Sequence, residues 1–194
     1  MKYDDRKIAG SLLFIGAVLC VLGIIVAEAL YTGYSTSENY ISDLGVGPSS
    51  LIFNSSLFLL GVLTVGGAYF IQRAFDFRLF SIFAAITGVG AMGVGLFTED
   101  AGVVHAVFSF ITFLFAGLST IMSYKLQKPP FSHFSVILGV VVLLALVLFA
   151  SGTFLGLGKG GMERMIAYTA LLWAIGFGGH LISYSSDTST AKKS

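Results

Sequence analysis

Six apolar stretches, each close to twenty residues long and nearly free of charge, decide what this chain can fold into. They lie at about 8–30, 51–72, 79–97, 103–123, 134–155 and 162–183. A helix rises 1.5 Å per residue, so about 20 apolar residues cross the hydrocarbon core of a bilayer. Inside lipid a helix also satisfies its own backbone polar groups, which an isolated strand cannot do. The expectation is an all-α integral membrane bundle of six transmembrane helices, one domain over residues 1–183, followed by a disordered cytoplasmic tail at 184–194. Composition agrees, because only 11% of the 194 residues are charged where a soluble domain carries about 25%.

Residues 8–27 carry no charge and follow Lys2, Arg6 and Lys7, with Ala27-Glu28-Ala29 after them. That order imitates a signal peptide. The apolar run is longer than the roughly 7–15 residues of a signal core, so it is read as a retained first span. Lys and Arg then divide nine to two over alternate loops. Lys2, Arg6, Lys7, Arg73, Arg78, Lys125, Lys128, Lys192 and Lys193 fall on one side, Lys159 and Arg164 on the other. Basic residues stay cytoplasmic, which places both termini inside and the protein in the cell membrane as a multi-pass chain. A net charge of +1 gives no case for nucleic acid. Membrane lipids are the partners this composition implies, with homo-oligomerisation left open. Cys20, the one cysteine, sits in an apolar run and reads as a small core residue.

The longest polar interruption surrounds Tyr40-Ile41-Ser42-Asp43-Leu44-Gly45, continuing through Gly47-Pro48 to Asn54 at the start of span two. A carboxylate beside a membrane is costly to desolvate, so Asp43 needs water, a cation or a donor nearby. One reading is a surface turn with a helix cap; the other is a binding site. Six of ten acidic residues, Glu28, Glu38, Asp43, Glu99, Asp100 and Glu163, share this outer side. Helix N-termini account for Asp100 and Glu163. Glu28 lies at a helix C-terminal end and requires a compensating partner.

His105 begins span four on the same side. His180 lies deep in span six, some 20–25 Å away in depth at 1.5 Å per residue, so the two cannot share a metal. His105 is therefore either a hydrogen-bonded brace to the first loop or part of a site with carboxylates. The candidate lipid-headgroup or cation site comprises Glu28, Ser42, Asp43, Asn54, Glu99, Asp100 and His105, with Asp43 expected to pair with His105.

Two glycine patterns are read structurally. Gly88-Val89-Gly90-Ala91-Met92-Gly93 matches a dinucleotide fingerprint but lacks the strand and soluble βαβ unit that motif requires. With Gly95, Ala84 and Ala85 it instead permits close helix packing, so span three is expected to be central. Gly156-Leu157-Gly158-Lys159-Gly160-Gly161 fails the phosphate-loop spacing and reads as a flexible outer loop, with Lys159 and Arg164 near lipid phosphates as the lesser alternative.

Tyr40-Ile41-Ser42-Asp43-Leu44-Gly45, Phe53-Asn54 and Val103-Val104-His105-Ala106-Val107-Phe108 resemble a prokaryotic six-span membrane family of unknown function. They resemble more loosely the damage-regulated autophagy modulator family and its Frag and Sfk relatives, although Pro48-Ser49 stands where those carry Pro-Glu. The resemblance implies a six-helix fold, an outer Asp/His cluster, no established enzymatic activity and no cofactor. Three functions follow from the residues. The leading one is a non-enzymatic protein binding a lipid headgroup or cation. A metal-dependent lipid hydrolase using His105, carboxylates and Ser42 is the alternative, and a proton-coupled transporter is third.

Overall fold

The structure, a computed structural model, describes residues 4–183. The expected tail at 184–194 and the flanking Lys2, Lys192 and Lys193 lie outside the described residues. Six helices are present: α1 (Asp5–Leu30), α2 (Ser50–Phe75), α3 (Arg78–Leu96), α4 (Val103–Met122), α5 (Phe131–Ala150) and α6 (Gly158–Ser183). All are long and apolar enough to cross a membrane, and no strand occurs among the described residues. Short 3-10 turns at Ser42–Gly45 and Glu99–Ala101 precede α2 and α4, and a third at Ser123–Leu126 extends α4.

Chemistry at the helix ends explains several boundaries. The Asp4 side chain accepts from Arg6 N at 3.1 Å and caps α1. α2 stops at Asp76, whose left-handed backbone (φ 47°) sends its N–H back to the Gln72 carbonyl. Two boundaries differ from the sequence expectation. α5 ends at Ala150 rather than near 155, and α6 begins at Gly158 rather than 162. The stretch expected as a flexible glycine loop is thus half helix, for a reason that belongs to the site.

Each helix packs on its chain neighbours, and α1 closes the ring against α6. α4 also touches α6, which leaves α5 outside that seam. Even numbers of crossings put Asp5 and Ser183 at one face; the opposite one is called the far face below. Without a hydrophobic force between helices in lipid, close packing must hold such a ring together. Glycines allow it. A Cβ on Gly10 would lie 2.6 Å from the Gly178 carbonyl across α1 and α6, and one on Gly88 would lie 2.7 Å from the Gly61 carbonyl across α3 and α2. Gly93 meets the Phe108 ring, and Gly95 meets the Asn54 carbonyl. α3 is accordingly the most enclosed span, half buried where the others reach 22–39%. Leu51, Val103, Leu144, Val147 and Leu172 point outward as an apolar coat.

Candidate functional site

The site grows from the loop between α1 and α2. Asn39 ties the loop into a knot: its N–H reaches the Ser35 carbonyl at 2.8 Å while its Oδ1 accepts from Ser35 N at 3.1 Å. The Tyr34 hydroxyl donates to the Tyr40 carbonyl at 2.7 Å. Asp43 sits beneath this knot and accepts from Asn39 Nδ2 at 2.8 Å and from Tyr40 N at 3.0 Å. Its neighbour Ser42 donates to Glu99 Oε2 at 3.5 Å, linking the first loop to the turn before α4. Ile41 N donates at 2.6 Å to Oε2 of Glu163, a buried carboxyl on α6.

The carboxyls respond to these surroundings. Burial first, then the hydrogen bond and negative charge of Asp43, together lift the Glu99 carboxyl to about 7 against the pull of Lys159. Burial alone would raise Asp43 as well. Hydrogen bonds from the Glu99 carboxyl, Asn39 and Tyr40 N–H outweigh it and hold Asp43 below the usual carboxylate range. The two carboxyls are thereby driven in opposite directions, Glu99 toward its protonated form and Asp43 toward its ionised form, as neighbouring carboxyls are. Lys159 Nζ lies 4.3 Å from the centre of the Tyr40 ring, close enough to be held over its face.

A second group stands beside this one. Arg164 Nη2 bonds Glu28 Oε1 at 2.5 Å and the Tyr34 hydroxyl at 2.7 Å, while Nη1 reaches the carbonyls of Thr36, Asn39 and Gly160. The Tyr168 hydroxyl also donates to Glu28 at 3.4 Å. Arg164 is the compensation that Glu28 required, and it faces the protein rather than lipid phosphate. The glycine stretch makes room for this. Gly160 N donates to the Ser37 carbonyl at 2.9 Å, and a Cβ on Gly160 would collide with the Asn39 carbonyl. The first turn of α6 is glycine because the first loop lies directly on it.

Of the expected site residues, Ser42, Asp43 and Glu99 come together. Glu28 belongs to the adjacent Arg164 brace. Asn54 donates to the Gly45 carbonyl at 2.9 Å and holds the Ser42–Gly45 turn onto α2. Asp100 is exposed and joins neither group. His105 is a brace, but not to the first loop: Nδ1 donates to the Phe97 carbonyl at 2.8 Å, and Nε2 pairs with the Ser109 hydroxyl at 3.2 Å. It thereby satisfies an orphan carbonyl just past the end of α3, next to the stacked Phe97 and Phe108 rings. Both ring nitrogens are occupied, so the expected Asp43–His105 pair is not made. Among the described residues, no three His, Cys, Asp or Glu side chains are grouped to hold a metal ion.

Sequence reasoning left Glu163 as a helix-terminus charge and Lys159 as a loop or lipid contact, and gave Asn39 and Tyr40 no part in the site. A signal existed for the first two: ionisable residues at a span's edge default to a functional reading. Below the cluster lies a cavity of about 120 Å³, lined from α1, α2, α3, α4 and α6. Ser42 and Glu163 border it, and so does Trp173, ten residues further along α6. Thr64, Thr87 and Thr112 also border it, but each returns its hydroxyl to its own helix. The lumen is therefore largely apolar, with the carboxyl-bearing end and the Ser119 hydroxyl as its polar points.

Six apolar helices, five of them around this lumen, define a multi-pass membrane protein. Residues 14–180 match the family described as protein of unknown function DUF998, so the chain belongs to that family. This agrees with the resemblance to a prokaryotic six-span family and says nothing of the eukaryotic modulators. No curated protein and no solved structure matches the chain.

Proposed function

We propose that the chain binds the polar headgroup of a membrane lipid at the Ser42–Asp43–Glu99 cluster, on the outer face of the cell membrane. The observation that carries this reading is that the largely apolar lumen ends at the Glu163 carboxyl and at Ser42, which is hydrogen-bonded to Glu99. A free cation would need only the carboxylates. A headgroup with a hydrocarbon body uses both surfaces, which is how small-ligand sites are generally built, apolar with a few placed polar groups. Carboxyl oxygens accept hydrogen bonds, so the headgroup presents N–H or O–H donors. The outward placement rests on the nine-to-two division of Lys and Arg.

The test is the lipid that remains with the purified protein. Mass spectrometry of wild type and Asp100→Asn should find one amine- or hydroxyl-headed lipid class enriched over the bulk membrane. The double variant Asp43→Asn/Glu99→Gln should lose that enrichment. Equal lipid profiles in all three would refute headgroup binding at this cluster.

A further inference from the structure

The lumen beneath the cluster has its own chemistry. It combines three features: a closed ring of helices, one buried carboxyl and a slim apolar volume. Glu163 and Trp173 are ten residues apart on α6, roughly 15 Å along the axis, and both border the space. A volume of about 120 Å³ approaches that of an apolar cavity known to admit benzene, about 150 Å³. A volume of that size takes part of one hydrocarbon chain and leaves no room for a second beside it. The Ser119 hydroxyl borders the same space; the residue is 2% exposed and that oxygen has no hydrogen-bond partner. A buried polar atom left so is a sign that the space is unfinished without an occupant.

Charge selects the occupant's head. Glu163 is buried and accepts one hydrogen bond, from Ile41 N, on Oε2. Arg164, next in sequence, is committed to Glu28 and Tyr34. Lys159 is held over Tyr40. With Asp43 and Glu99 above, the end of the lumen is acidic, and a buried charge is tolerated where it is paired.

Resting on the headgroup reading, we infer that the ligand is a single-chain amphiphile with a cationic amine head, its nitrogen against Glu163 and its chain in the lumen toward Trp173. Anionic heads are refused by the Asp43 carboxylate and find no cation to pair with, since Arg164 and Lys159 are already engaged. Lipids with two chains are refused by width.

Trp173 is the sole tryptophan of the sequence, so its fluorescence reports on this space. The experiment adds ω-bromoalkylammonium probes of increasing length to the purified chain in phosphatidylcholine nanodiscs. Quenching of Trp173 should saturate near one probe per protein, grow with chain length, and reverse with excess unbrominated alkylammonium. A bromoalkyl sulfate of equal length should give no saturable quenching. Ala116→Leu, which fills the lumen from α4, should abolish the saturable component, and Ala170→Leu should do the same from α6 if the first variant folds poorly. Glu163→Gln keeps an acceptor for Ile41 N and should weaken probe affinity about tenfold or more, the scale of a charge-assisted contact. Quenching that is unsaturable, or identical in wild type and both filled variants, overturns the inference. Loss in Asp43→Asn/Glu99→Gln with the filled variants unaffected would keep the headgroup site and remove the chain from the lumen. Loss in the filled variants alone would keep the lumen and remove the headgroup site.

Discussion

Arg164 on α6 and Glu28 on α1 meet at 2.5 Å at the far face, where the last helix of the ring closes on the first. Their side chains are only 11% and 21% exposed, and breaking such a pair leaves one charge in a poorly hydrated place. Fully buried pairs lose about 3–5 kcal/mol when one partner is removed; this one keeps some water. Arg164→Ala should therefore cost about 2–3 kcal/mol. Glu28→Gln combined with Arg164→Gln should cost less than the sum of the single changes. Unfolding titrations in detergent measure both, and strict additivity would show that the contact stabilises nothing.

The glycine seams predict opposite outcomes for the same substitution. A Cβ on Gly61 would strike the Gly88 carbonyl and the Met92 backbone nitrogen, which cannot yield without separating α2 from α3. Gly61→Ala should cost about 1–3 kcal/mol through overpacking. Gly179 on α6 has nothing within 4 Å of the same position. Gly179→Ala should stabilise by about 0.5–1 kcal/mol through helix propensity alone. Thermal unfolding of the two variants side by side decides it, and equal effects would place the seam elsewhere.

Height in the membrane could be read from the sequence, while position around the ring could not. Hydropathy located all six helices, because burial in lipid acts on each span separately. Glycine and alanine marked α3 as central for the same local reason. Asp43 and His105 were matched in depth, yet they face different neighbours, and depth carries no angular information. The Ile41–Glu163 and Glu28–Arg164 contacts join residues more than 120 positions apart, where only the closing of α1 on α6 brings them together. The glycine stretch before Met162 misled because flexible loops and tight docking surfaces ask for the same residue.

The sidedness expected from the loop charges is testable by labelling. Thr153 and Lys128 are exposed at opposite faces of the bundle, and the native thiol of Cys20 is buried. In intact cells, an impermeant maleimide should label Thr153→Cys and leave Lys128→Cys unlabelled until the membrane is opened. Labelling of both from outside would end the six-span topology, and the reverse order would invert it.

The opposite shifts of Asp43 and Glu99 make stability at the far face depend on pH. Glu99 is raised from 4.5 to about 7 by burial and by Asp43, so the folded state binds its proton more tightly than the unfolded chain does. Its contribution is complete below about 4.5 and is lost as pH rises through about 7. Asp43 is lowered from 3.8, so its contribution is present above that value and lost as pH falls below it. Stability should therefore fall between about pH 4.5 and 7 through Glu99, and fall separately under strong acid through Asp43. Glu99→Gln mimics the protonated carboxyl and keeps a donor for Asp43. It should lessen the fall in melting temperature between pH 5 and 7.5 and raise it at the upper end, with the acid limb unchanged. A wild-type melting temperature that rises across this range, or a Glu99→Gln profile parallel to it, would show that Glu99 does not carry the raised affinity for a proton assigned to it here.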